Sequence, residues 1–170
     1  MGTSHFSLYY HLVISTIDRK PWLGQDVRPR LYAYFGGIIR RYGGVLLAAG
    51  GIEDHCHLLP SLSMTSALSD VVMNLKGASS YWLKKEFPWL FDFGWQTGYF
   101  IATVSPNNLT AVRKYIDMQQ EHHKTMKYEK EMALLLNNSR YDGLAVNRPK
   151  HTDSSEVLQD WTGTEQSKSD

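Results

Sequence analysis

The chain has 170 residues, a formal net charge of +1 and a single cysteine. Its length suits one domain with a tail, and 42% hydrophobic and 12% aromatic residues suffice for a packed core. One cysteine excludes an internal disulfide, no apolar run is long enough to span a membrane, and the amino-terminal residues lack a signal peptide's charged start and apolar centre. Together these point to a cytoplasmic protein without membrane contact. The near-neutral charge argues against a coat for duplex DNA, although single-strand binders lean partly on aromatic stacking.

In chain order, residues 8–17 are β-branched and aromatic with few charges, which predicts a buried central strand. Residues 18–26 form a polar connection. Leu31, Tyr34, Phe35, Ile38, Ile39 and Tyr42 recur at helical spacing, so residues 27–42 read as a helix that Gly43-Gly44 ends. Gly36 and Gly37 interrupt it at about 1 kcal/mol each against alanine, which suggests a close neighbour there. Residues 45–52 predict a second strand, and Glu53-Asp54 a hairpin or bulge into a third.

A second helix follows, capped by Thr65 or Ser66, with the stripe Leu68, Val71, Val72, Leu75, Ser79 and Trp82, and stopped by Pro88. Residues 89–97 form an aromatic-rich loop, and 98–104 a fourth strand. Ser105-Pro106 then signals a helix start, with Leu109, Val112 and Ile116 facing the core. A last helix spans about 127–136. The domain is expected over residues 1–147, with 148–170 a mobile polar tail.

The order strand–helix–strand–strand–helix–strand is the split βαβ pattern of an α+β, ferredoxin-like antiparallel sheet. Both early helices would cover one face and leave the other free for metal and nucleic acid.

Two stretches carry chemistry. In His55-Cys56-His57, strand alternation places both imidazoles on one face and Cys56 on the other. Two imidazoles on one face can share a metal ion, yet the spacing by itself also fits a chance pair. Tyr115 and Gln119 stand four apart, neighbours on one helix face beside the apolar stripe. The pair alone equally describes a boundary tyrosine next to a solvated glutamine.

In combination they resemble the single-tyrosine HUH transposases of bacterial insertion sequences and their REP-associated relatives. The resemblance spans roughly residues 6–147 and includes Tyr10-His11-Leu12-Val13, Asn74-Leu75-Lys76-Gly77-Ala78-Ser79-Ser80, Gly94-Trp95-Gln96-Thr97-Gly98-Tyr99 and Gln119-Gln120-Glu121-His122-His123. Cys56 departs from it where an aliphatic is usual, and so does Asp18-Arg19-Lys20 where Thr-Lys-x-Arg is common.

The resemblance implies that His55, His57 and Gln119 bind Mg²⁺ or Mn²⁺ and that Tyr115 is the nucleophile. It implies a hairpin-forming single-stranded DNA substrate, a 5′-phosphotyrosine intermediate, and a homodimer in which one subunit's tyrosine helix meets the other's His pair. Arg19, Lys20 and Lys76 are candidate phosphate contacts, Trp95 and Tyr99 candidate stacking platforms, and His122 a candidate helper. Two alternatives stay open: a domesticated nickase of repeat hairpins, and a non-catalytic ferredoxin-like nucleic-acid binder.

Overall fold

The computed structural model describes residues 6–138. The expected tail at 148–170, and the domain boundary at 147, lie outside them. Four strands, β1 (Tyr9–Ser15), β2 (Val45–Ile52), β3 (His55–Ser61) and β4 (Phe100–Val104), form one antiparallel sheet in the order β2-β3-β1-β4. Helices α1 (Arg28–Arg41) and α2 (Leu68–Glu86) connect them, and α3 (Leu109–Asp117), α4 (Gln119–His122) and α5 (Tyr128–Asn138) follow. This is the expected α+β, ferredoxin-like arrangement with added carboxy-terminal helices.

Strand alternation sorts the core. Leu12, Ile14, Cys56 and Leu58 point to one face, where they bury Leu31, Phe35 and Ile38 of α1 and Val71, Leu75 and Leu83 of α2. Cys56 is fully buried there, opposite its histidine neighbours as alternation requires. His11, Val13, His55, His57 and Leu59 share the other face.

That second face is not free. Val13 and Phe100 pack against Tyr128 and Met132 of α5, and Ala48, Leu59 and Val104 against Ile116 of α3. The apolar side chains left on that face by the first helix layer need a cover, and the three later helices supply it.

Two local expectations need correction. A Cβ at Gly36 or Gly37 would meet nothing within 4 Å, so no close neighbour explains those glycines. The close approach is at Gly50 of β2, where a Cβ would run into the Ile116 carbonyl of α3. Neither Thr65 nor Ser66 caps α2. Its N-cap is Ala67, and the Ser66 hydroxyl donates to the Tyr42 carbonyl instead.

Candidate active site

The hairpin after β2 and the pairing of β3 between β2 and β1 fix the two imidazoles. His55 and His57 are fully buried, with ring centroids 5.0 Å apart. Each has one nitrogen already engaged. Nδ1 of His55 lies 2.8 Å from Asp54 Oδ1. Burial opposes ionisation of Asp54, but the bonds from His55 and Arg19 hold its carboxyl below the usual range, so it accepts the His55 proton. Nδ1 of His57 lies 2.9 Å from Nε2 of His11 on β1. Both Nε2 atoms therefore point away from these partners into the layer beneath α5.

Tyr115 ends the core-facing side of α3. Met118, with φ −96° and ψ 12°, breaks the helix, but the Met118 N–H still bonds to the Lys114 carbonyl at 3.1 Å and the His122 N–H to the Met118 carbonyl at 3.0 Å. The chain thus continues in nearly helical form into α4. Gln119 remains on the Tyr115 side and is buried. The expected single helix is two helices sharing one face.

Two groups the sequence reading did not assign complete the cluster. His123, just past α4, uses Nδ1–H to donate to the Met126 carbonyl at 3.0 Å, leaving its Nε2 directed at Glu131. Glu131 of α5 is 1% exposed and sits at the centre. Its Oε1 accepts from the Tyr115 hydroxyl and from Gln119 Nε2 at 3.0 Å. Its Oε2 lies 2.9 Å from His123 Nε2 and 3.7 Å from His55 Nε2, while Oε1 is 3.5 Å from His57 Nε2. His122, the candidate helper, stacks edge-on with Tyr115 at 5.1 Å.

Glu131 was hidden because Lys127–Leu136 reads as an ordinary amphipathic helix, in which a glutamate defaults to solvent. The signal that finds it is its register. Tyr128, Glu131, Met132 and Leu135 stand at i, i+3, i+4 and i+7, so the glutamate lies in the middle of the apolar stripe.

The donor set fits a divalent cation. One donor atom from each of His55, His57, His123 and Glu131 lies within 4.8 Å of the others. That spread is close to the separations allowed by metal–ligand bonds of about 2.1 Å. Nε2 of all three histidines, Gln119 Oε1 and Glu131 Oε2 are buried without a hydrogen-bond partner. Orphaned buried polar atoms are costly, and a cation among His55, His57, His123 and Glu131 relieves those that converge there.

Metal-free, the site disfavours added protons on His11, His55 and His57. Burial lowers His57 to about 4 and His11 to about 3. Glu131 is held ionised, well below the usual carboxylate range: burial pushes upward, but the closeness of His123 and His57 and the Tyr115 hydroxyl outweigh it. Burial, and then the bond to Glu131, raise the Tyr115 phenol above its ordinary value, so it rests protonated.

The remaining expected DNA contacts lie elsewhere. Arg19 grips Asp54 Oδ2 through Nε at 3.1 Å and Nη2 at 2.7 Å and stacks 3.2 Å over the Tyr128 ring, so it braces the hairpin and α5. Lys20 pairs with Asp92 at 3.6 Å. Lys76 donates to the carbonyls of Gln96 at 2.6 Å and Gly98 at 2.9 Å, tying down the loop before β4. Trp95 donates to Ser79 Oγ at 2.9 Å and packs on Phe35 and Phe93, and Tyr99 packs against the same core. Trp95 and Tyr99 therefore belong to the layer of α1 and α2, and none of the five residues joins the His–Tyr–Glu cluster. His pair, tyrosine and glutamine meet within the one chain described.

The comparisons with known proteins agree with this geometry. Residues 4–119 match the family "Transposase IS200 like" (Y1_Tnp). The ISDra2 transposase TnpA of Deinococcus radiodurans is 31% identical over 121 residues, covering 68% of this chain and 86% of that protein. A crystal structure of a candidate transposase from Deinococcus radiodurans R1 superposes with a TM-score of 0.57 at 28% identity, over 70% of this chain and 98% of that one. A REP-associated tyrosine transposase bound to a REP hairpin shares the fold, with a TM-score of 0.55 at 12% identity over 90% of this chain and 98% of that one. With two thirds of its length matched by the family and its His pair and tyrosine meeting on one face of the sheet, the chain belongs to the IS200-like, single-tyrosine (Y1) transposases.

Proposed function

We propose that this transposase cleaves and rejoins single-stranded DNA at hairpin-marked ends through a covalent bond between Tyr115 and a 5′-phosphate, with a divalent metal bound beside it. The observation that carries the proposal is the meeting of Tyr115 with the buried cluster of His55, His57, His123 and Glu131 through its bond to Glu131. His55, His57 and the Gln119 amide oxygen would hold Mg²⁺ or Mn²⁺, which when bound polarises a non-bridging phosphate oxygen as a Lewis acid.

The chain's own groups do the rest. Asp54 and His11 hold the two imidazoles with Nε2 presented. α3 and α4 present Tyr115 and Gln119 together, so the attack angle is coupled to the donor geometry. Tyr115 Oη attacks phosphorus and the 3′-oxygen leaves as a free hydroxyl. The phosphodiester energy stays in the tyrosyl ester, so another 3′-hydroxyl can reverse the step and join new ends without ATP.

A cleft of about 410 Å³ opens beside the phenol between His11, Asn108, Val112, His122 and Leu134, and is apolar enough to take a sugar or base of the strand. Hairpin recognition is supported by the REP-hairpin complex of the structural relative. A cytoplasmic location fits a chain in which, among the described residues, no helix is long and apolar enough to cross a membrane. A homodimer would serve to bring two DNA ends together.

The test is covalent capture. A labelled single-stranded oligonucleotide carrying a candidate end hairpin is incubated with the protein and Mn²⁺ or Mg²⁺, and the adduct is mapped by mass spectrometry. The expected result is a nucleotide adduct on Tyr115 that Tyr115→Phe abolishes. An adduct on another residue, or undiminished cleavage by the phenylalanine variant, refutes the assignment.

A further inference from the structure

The geometry points to His123 and Glu131 as additional ligands of the bound metal, so that the ion clasps α5 to the sheet over the tyrosine. This rests on the metal-binding half of the proposed function and not on strand transfer.

Three observations carry it. The first is the tautomer of His123. Its Nδ1 is committed to the Met126 carbonyl, which can only accept, so in the neutral ring Nε2 offers a lone pair. The second is the pair that lone pair faces. Nε2 stands 2.9 Å from Glu131 Oε2, a carboxylate oxygen with no hydrogen-bond donor of its own. Two acceptors at that distance repel unless a cation or a shared proton lies between them. The third is convergence. His123 and Glu131 are not off to one side. Their donor atoms fall within the same 4.8 Å cluster as those of His55 and His57.

Glu131 is also tied to the rest of the site, accepting from Tyr115 and from Gln119. The Gln119 amide is thereby oriented: Nε2 turns to Glu131 and Oε1 is left partnerless and buried. One carboxylate thus orders the nucleophile and the glutamine and presents its second oxygen to the ion.

The competing explanation is that Glu131 merely makes a structural ion pair with a protonated His123 and plays no part in metal binding. The two differ in what the metal does to α5. If the ion bridges β3, His123 and Glu131, loading it ties Tyr128–Asn138 down. If Glu131 is only an ion-pair partner, α5 is indifferent to metal.

The experiment uses the full chain with Mn²⁺ as probe. Calorimetric titration gives the affinity of wild type, Glu131→Gln and His123→Ala, and hydrogen exchange follows the α5 amides with and without Mn²⁺. The expected result is a loss of affinity of about tenfold or more in each variant, a range in which ligand-shell changes fall. In addition, Mn²⁺ should protect the α5 amides in wild type, and this effect should disappear in Glu131→Gln. Wild-type affinity in both variants overturns the inference. So does an α5 whose exchange ignores Mn²⁺ in wild type, a readout that does not depend on either variant folding. A wild-type chain that binds no Mn²⁺ overturns both this inference and the metal half of the proposed function. Tight Mn²⁺ binding without covalent DNA capture overturns strand transfer alone.

Discussion

Gly50 is the position at which one methyl group should separate folding from catalysis. β2 runs beneath the last turn of α3 so closely that a Cβ there would lie inside contact distance of the Ile116 carbonyl oxygen, with Ile116 C at 3.0 Å and Cγ2 at 3.1 Å. Carbon atoms rest near 3.5–4.0 Å, so Gly50→Ala forces α3 to withdraw by on the order of 1 Å. Part of the obstacle is backbone, which cannot rotate aside as a side-chain tip can. Overpacking of this kind costs about 1–3 kcal/mol. The neighbour of Ile116 is Tyr115, and Gln119 follows on the next turn, so the same shift moves the proposed nucleophile and the glutamine away from the His pair. A 1 Å misplacement can cost about 100-fold in rate. Urea unfolding measures the first effect, and single-turnover capture of a labelled oligonucleotide at saturating Mn²⁺ measures the second. The expected outcome is a still-folded protein whose capture rate falls more than its stability. An alanine variant with wild-type stability and rate would show that α3 is not seated on this glycine and would remove the reasoning for its role.

Acid should weaken the metal-free fold. The folded pKa values of His11 and His57 lie below their ordinary 6.5, so the unfolded chain takes up protons first; the stability is fully present above about pH 6.5 and is lost as pH falls toward about 4 for His57 and about 3 for His11. At pH 5 each histidine alone would cost about 2 kcal/mol, and because they titrate as a coupled pair the two together cost about 2–4 kcal/mol; equal urea midpoints at pH 7 and 5 would contradict this. Burial pushes the Cys56 thiol up to about 12, so a thiol reagent at about pH 8 should modify the chain only after denaturation, which absorbance of the released chromophore reports. Lys76→Met should lower stability by about 1–3 kcal/mol in urea, through loss of the carbonyls it caps, while leaving the salt dependence of oligonucleotide binding unchanged. A reduced salt slope would instead make Lys76 a phosphate contact.

Much of the scaffold was legible along the chain because it is local. Alternation in His55-Cys56-His57 puts two imidazoles on one side and a buried thiol on the other, whatever else the chain does. The stripes Leu31–Ile39 and Val71–Leu83 need only helical periodicity, and the order of strands and helices then leaves few sheet topologies. The four-residue spacing of Tyr115 and Gln119 likewise survives the break at Met118, because the backbone stays close to helical through it.

What the chain could not display were contacts whose value depends on distant partners. Glycine in α1 and glycine in β2 look alike in a string, and only the docking of α3 shows that Gly50 is the one with a neighbour. Lys76 and Trp95 have the composition of DNA contacts, but the loop before β4 folds back and occupies them. Glu131 is the clearest case. By composition it is a surface glutamate, and burying a carboxylate is favourable only where donors or a cation surround it. That condition is met by His55, His57, Tyr115, Gln119 and His123, brought together from β3, α3, α4 and the turn beyond. Periodicity along the chain determined which side chains share a face; the packing of α5 across the sheet decided which of them meet.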